Sequence, residues 1–169
     1  MRNIKAFLLV LSLLATTGFY SCKTTSGPAT SQTKTAVPTD PLQLLKVNYN
    51  SPWLGITVAD KKITKVKTLN HFKESNFSST PDSVSTEMLM DGVALSDSIL
   101  NVLNKLIDEK KFWELEDNYG APEGLRFYPY TISVERNEKI KTVTFRSNPS
   151  YGLAPSGFTA IQKFLEEMK

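Results

Sequence analysis

The chain has 169 residues, 40% of them apolar, which suits one domain with a buried core rather than two. Its single cysteine excludes an intramolecular disulfide. The formal net charge of +3 arises mostly in residues 1–21, which carry two of the 20 basic residues and none of the 17 acidic ones. The remainder is near +1 and has no concentrated basic face to hold a nucleic acid.

Residues 1–21 open with Arg2 and Lys5, continue as an apolar run from Ala6 to Ala15, and end on Ser21 just before Cys22. A positive start, a short apolar core and a small residue before the cut make an export signal. The 15 residues from Ala6 to Tyr20 fall short of the roughly 20 that a membrane-crossing helix needs, so a removable signal is expected. A cysteine directly after a small residue at the end of such a signal resembles the lipobox cysteine of bacterial lipoproteins, in the Ser-Cys form of the Bacteroidetes. Phe19 and Tyr20 are bulkier than the enterobacterial pattern prefers. The resemblance implies that Cys22 receives a diacylglycerol and becomes the mature N-terminus, holding the protein to a membrane. Two acyl chains, at roughly 0.8 kcal/mol per buried CH₂, suffice for stable anchoring. An ordinary secretory signal cut near Gly18 is the alternative. Lys23, Thr24 and Thr25, with no aspartate directly after the cysteine, resemble signals that permit passage to the outer membrane. The lack of an acidic cluster there favours the periplasmic face.

Residues 22–41 are rich in Thr, Ser and Pro, with almost nothing large and apolar, and read as a flexible tether. Its coil reach is on the order of 25 Å. Residues 42–169 are expected to form a single α+β domain.

Within it, Gly55 to Phe72 holds two β-branched runs around the polar Asp60-Lys61-Lys62, the pattern of a hairpin. Lys61, Lys62, Lys65 and Lys67 are expected on its solvated face. Lys73 to Ser83 is polar and predicts a surface loop, and Val84 to Met90 a further strand. Asp97 to Lys111 predicts a helix: Ser96 can cap it, Leu95 and Leu100 can staple its entry, and Ile99, Leu100, Val102, Leu103, Leu106 and Ile107 share a face. Tyr130, Ile132 and Val134 alternate with polar residues, as do Val143 and Phe145 beyond Asn137-Glu138. That spacing predicts a hairpin with Ile132 opposite Val143 and Tyr130 opposite Phe145. Pro129, which has no amide donor, belongs at the strand's start or on an edge. A closing helix follows, with Ser156 as its cap and Phe158, Ile161, Phe164, Leu165 and Met168 as its stripe. Strands, helix, hairpin, helix predicts an antiparallel β-sheet with two helices packed on one face.

Phe112-Trp113-Glu114-Leu115, Asp117-Asn118-Tyr119, the strand Thr131-Ile132-Ser133-Val134 and the closing helix together resemble a group of uncharacterised bacterial envelope domains, often lipoproteins. The resemblance covers residues 96–168 and carries no chemistry. The loop Gly120 to Leu125 departs from it in lacking an aspartate before the second strand.

No catalytic residue, metal ligand set or cofactor loop is identified. Nucleophilic catalysis would depend on His71 alone, because it is the single histidine and Cys22 is spent on the anchor. Glu114, Glu116, Asp117 and Glu123 could serve a glycan or peptide hydrolase, which is the alternative reading, but match no calcium loop. Aromatics are the most suggestive residues. Trp113 and Tyr130 are expected in the core, and Tyr119, Tyr128 and Tyr151 at the surface as candidate partner-binding residues. The expectation is a non-enzymatic module binding a protein or peptide partner, with an edge beginning at Pro129 open to strand addition.

Overall fold

The computed structural model describes Leu42, residues 44–73 and residues 80–169, all within one unit of the chain, 37–169. The expected signal over 1–21, Cys22 and the tether over 22–41 lie outside the described residues.

Seven strands form one sheet: β1 (Lys46–Asn50), β2 (Leu54–Ala59), β3 (Lys62–His71), β4 (Ser83–Ala94), β5 (Asn118–Gly120), β6 (Tyr128–Arg136) and β7 (Lys139–Ser147). Their order across the sheet is β4-β3-β2-β1-β6-β7-β5. Two helices complete the fold, α1 (Asp97–Glu109) and α2 (Ser156–Glu167), with short 3₁₀ turns at Phe112–Glu114 and Pro149–Tyr151. The α+β class holds, but the sheet is mixed. Six strands are antiparallel neighbours, while β5 runs parallel to β7 and pairs Tyr119 with Phe145. The physical reason is the route of the chain. After α1 it enters the sheet beyond β7 and must cross that strand to begin β6, so β5 and β7 run the same way. A three-residue strand has too few alternations to announce itself in sequence.

The β6–β7 hairpin has the expected register, with Ile132 opposite Val143 and Tyr130 opposite Phe145. Asn137 and Glu138 both take positive φ, as the twist of a two-residue hairpin turn requires. Asp60 and Lys61 do the same between β2 and β3. The central strand β1 was not foreseen. Lys46-Val47-Asn48-Tyr49-Asn50 has two apolar residues, yet both are fully buried between β2 and β6.

Helix α1 is capped as its sequence predicts, Ser96 Oγ accepting from the Ile99 amide at 3.3 Å. Helix α2 differs. Pro155 occupies the cap position with no side-chain hydrogen bond, and Ser156 is already helical. The fixed φ of proline sets the helix entry without a hydroxyl. Gly157 follows because a Cβ there would stand 2.7 Å from the Lys110 carbonyl oxygen.

The core is one cluster. Val47, Tyr49, Ile56, Val58, Ile63, Ile132, Val134, Val143 and Phe145 of the sheet join Leu100, Leu103 and Ile107 of α1 and Phe158, Ile161 and Leu165 of α2. Lys65 lies among them at 5% exposure, not on a solvated face as expected. Its ammonium donates to the Glu166 and Met168 carbonyls at 2.9 and 2.5 Å, satisfying orphan acceptors at the C-terminal end of α2. Burial holds its pKa below the usual lysine range.

Candidate functional site

Strands β1 and β2 stop short at one end of the sheet. The last β1–β6 pair is Asn50 with Thr131, and the last β2–β3 pair is Leu54 with Lys67. Beyond them β3 continues through Thr68 to His71 beside β4, and β6 extends back through Tyr130, Pro129 and Tyr128 beside β7. The result is a notch two strand positions wide, with the Ser51-Pro52-Trp53 turn as its floor. Ser51 Oγ fixes that turn by accepting from the Leu54 amide at 3.0 Å and donating to the Leu54 carbonyl at 3.1 Å.

Trp53 bridges the notch. Its carbonyl accepts from the Thr68 amide at 2.8 Å on the β3 side. Its ring lies 5.5 Å from Tyr128 and 6.3 Å from Tyr130 on the β6 side. A groove of about 510 Å³ opens here, lined by Trp53, Lys67–Asn70, Phe72, Pro81 and Tyr128. Its size is that of a ligand site. Trp53, Phe72 and Tyr128 are 45%, 51% and 47% exposed, a concentration of aromatic surface that burial has not used. The groove's lining contains one charged residue, Lys67, whose ammonium is 3.8 Å from Glu87, with both side chains about half exposed. That contact is too loose and too wet to neutralise it.

The candidate tyrosines lie in three places. Tyr128 lines the groove. Tyr119 is half-buried on β5, its hydroxyl accepting from the Glu116 amide at 2.8 Å. Tyr151 is exposed on the second 3₁₀ turn. Tyr119, Phe145 and Tyr130 are successive cross-strand partners, and Tyr130 touches Trp53, so an aromatic row runs from β5 to the notch. Trp53 and Phe72 were not singled out in the sequence, and Lys67 only as one of a solvated lysine cluster. Their only signal is a tryptophan beside proline in a turn, which gains meaning once the strand ends are known.

The edge expected at Pro129 is corrected. Strand β6 is interior, between β1 and β7, and at its start lacks a neighbour on its β1 side over Tyr128–Tyr130. The long free edge is β4.

The acidic loop offers less. Asp117 pairs with Lys141, Glu123 with Arg146 and Glu114 with Lys111, three separate cations on a wet surface. Among the described residues no group of three His, Cys, Asp or Glu side chains could hold a metal ion. His71 is exposed, with Nε2 2.7 Å from Ser85 Oγ. Trp113 is half-buried rather than core, under Arg136 and Lys139 at 5.2 and 4.7 Å. Arg136 also makes a two-pronged contact with Asp108 at 2.7 and 2.9 Å, which holds that carboxyl below its usual range.

A second polar cluster surrounds Tyr49, whose hydroxyl donates to Glu166 Oε1 at 2.8 Å and accepts from Gln162 Nε2 at 3.1 Å. Burial, then the hydrogen bond to Glu166, pushes its pKa above the tyrosine range. The cluster ties α2 to β1, and its Gln162 also lines a shallow groove of about 210 Å³ with Tyr130, Phe145, Ser147 and Ala154. Among the described residues no helix is long and apolar enough to cross a membrane. No family model, curated protein or solved structure matches the chain.

Proposed function

We propose that this protein is a lipid-anchored module of the bacterial cell envelope, held through an acylated Cys22, that binds a protein or peptide partner and turns over no substrate. The observation that carries the binding role is the notch. Three half-exposed aromatic rings surround a groove that the strands of the sheet leave open. Large rings with few rotatable bonds bury much area at small entropic cost, which is what a partner surface needs. Glu114, Asp117 and Glu123 are each taken up by a different cation, Lys111, Lys141 and Arg146, which supports binding over the hydrolase alternative.

The anchor is read from the export pattern ending at Ser21-Cys22, and the outer membrane facing the periplasm from the residues after it. The likeness of residues 96–168 to envelope domains supports the same address. Both helices are taken to lie on one face of the sheet, since their buried residues share one cluster with alternate residues of β1, β2, β6 and β7.

Two variants test this reading. Cys22→Ala should incorporate no labelled fatty acid and should leave the membrane fraction, because only the thiol accepts the diacylglycerol. A wild-type protein that takes up no label contradicts the anchor. Cross-linking in intact cells should trap a reproducible partner with the wild type and lose it with Trp53→Ala, at an unchanged unfolding midpoint. Equal trapping by both proteins contradicts the role of the groove.

A further inference from the structure

The backbone on the β3 side of the notch is directional. The Thr68 amide points into the notch, where Trp53 takes it, while the His71 carbonyl points towards β4 and accepts from the Asp82 amide at 2.9 Å. Successive residues of a strand turn their N–H and C=O to alternate sides. Asn70 therefore aims its amide and carbonyl into the notch, beyond Leu54, the first residue of β2, where no described strand meets them. A free donor and acceptor on a strand lip, next to an aromatic groove, is the arrangement that an added strand completes.

Three features choose among occupants. Strands pack roughly 4.8 Å apart, and both β1 and β2 end before this point, so an extended chain has room beside Asn70. Lys67 is the one charged residue lining the groove, and its ion pair with Glu87 is long, at 3.8 Å, and half exposed, so the lining favours a guest bearing a negative charge. Lys67 and Leu69 are two residues apart on β3 and so share a face, which sets the spacing of an acidic and an apolar side chain on an incoming strand.

We propose that the notch takes an extended peptide segment, which adds as a short strand to β3 at Asn70, lodges an apolar side chain among Trp53, Phe72 and Tyr128, and directs a carboxylate two positions away towards Lys67. This rests on the binding role proposed above and names its occupant.

The test uses the full chain in detergent micelles and fluorescent eight-residue peptides carrying a phenylalanine and, two positions on, an aspartate. A matched set is N-methylated at alternate backbone nitrogens, and another replaces the aspartate by lysine. N-methylation removes a backbone hydrogen bond and should weaken binding about tenfold. The aspartate-to-lysine peptide should bind more weakly to the wild type, and Lys67→Glu should reverse that preference. Trp53→Ala should abolish binding of every peptide. Equal affinity for plain and N-methylated peptides overturns strand addition. Binding indifferent to both Trp53→Ala and Lys67→Glu overturns the location. No peptide binding, with a cellular partner still lost in Trp53→Ala, overturns the peptide occupant and leaves the binding role standing. Loss of neither overturns both.

Discussion

The two ends of β3 live in different environments. At its start, Ile63 and Lys65 are buried against the helices, and the ammonium of Lys65 is consumed by α2. Towards its end, Leu69 is half-buried and Asn70, His71 and Phe72 are exposed, beside a β4 that is exposed along most of its length. The same hairpin thus serves first as core and then as an overhang beyond it. Apolar side chains run the length of β4: Val84 in the overhang, and Met88 and Leu89 beside the part of β3 that β2 still flanks, all stay largely open to water. The difference teaches that the aromatic groove is separable from the fold, because little of the core depends on the residues that line it.

The largest expected effect lies under the helices. Leu103→Ala removes a fully buried side chain of α1 and should cost about 2–5 kcal/mol, read as a lower urea midpoint at unchanged slope. Val84→Ala in the overhang should stay within about 0.5 kcal/mol. Comparable losses at the two positions would break the distinction between covered and uncovered sheet.

A smaller effect lies at the pair joining the β6–β7 hairpin to α1. Arg136, through its hydrogen bonds and then its charge, holds Asp108 below the usual carboxylate range. A carboxyl whose native pKa is depressed stabilises the fold above its unfolded value, about 3.9, and that stability is lost as pH falls through the native value. Arg136→Leu should therefore cost about 1 kcal/mol or less near neutrality, since Asp108 is half exposed, and the gap from wild type should close in strong acid. A gap independent of pH would assign the loss to the packing of Arg136 on Trp113 instead.

Local patterns made parts of this protein legible. Helix α1 announced itself through Ser96 and its apolar face, and the β6–β7 register followed from strict alternation around Asn137-Glu138. The unread features depend on distant residues. Strand β1 has too few apolar positions to stand out, and Val47 and Tyr49 become core only because β2 and β6 flank them. Lys65 looked like its neighbouring lysines, and only the end of α2 distinguishes it. The candidate site was half seen: Tyr128 was singled out as a binding residue and Lys67 only as a solvated lysine, while Trp53 and Phe72 were not. A notch is a relation between the ends of four strands, and no single segment encodes it.

The most direct test of a separable groove is native-state hydrogen exchange of the full chain, with and without the phenylalanine–aspartate peptide. The Val47 and Val134 amides, in the covered centre of the sheet, should exchange only with global unfolding, whereas Asn70 should exchange by far cheaper local opening. Saturating peptide should slow Asn70 and leave the relative order of the central strands unchanged. An Asn70 amide as slow as Val47 before any peptide is added, or one untouched at saturation, would contradict the account.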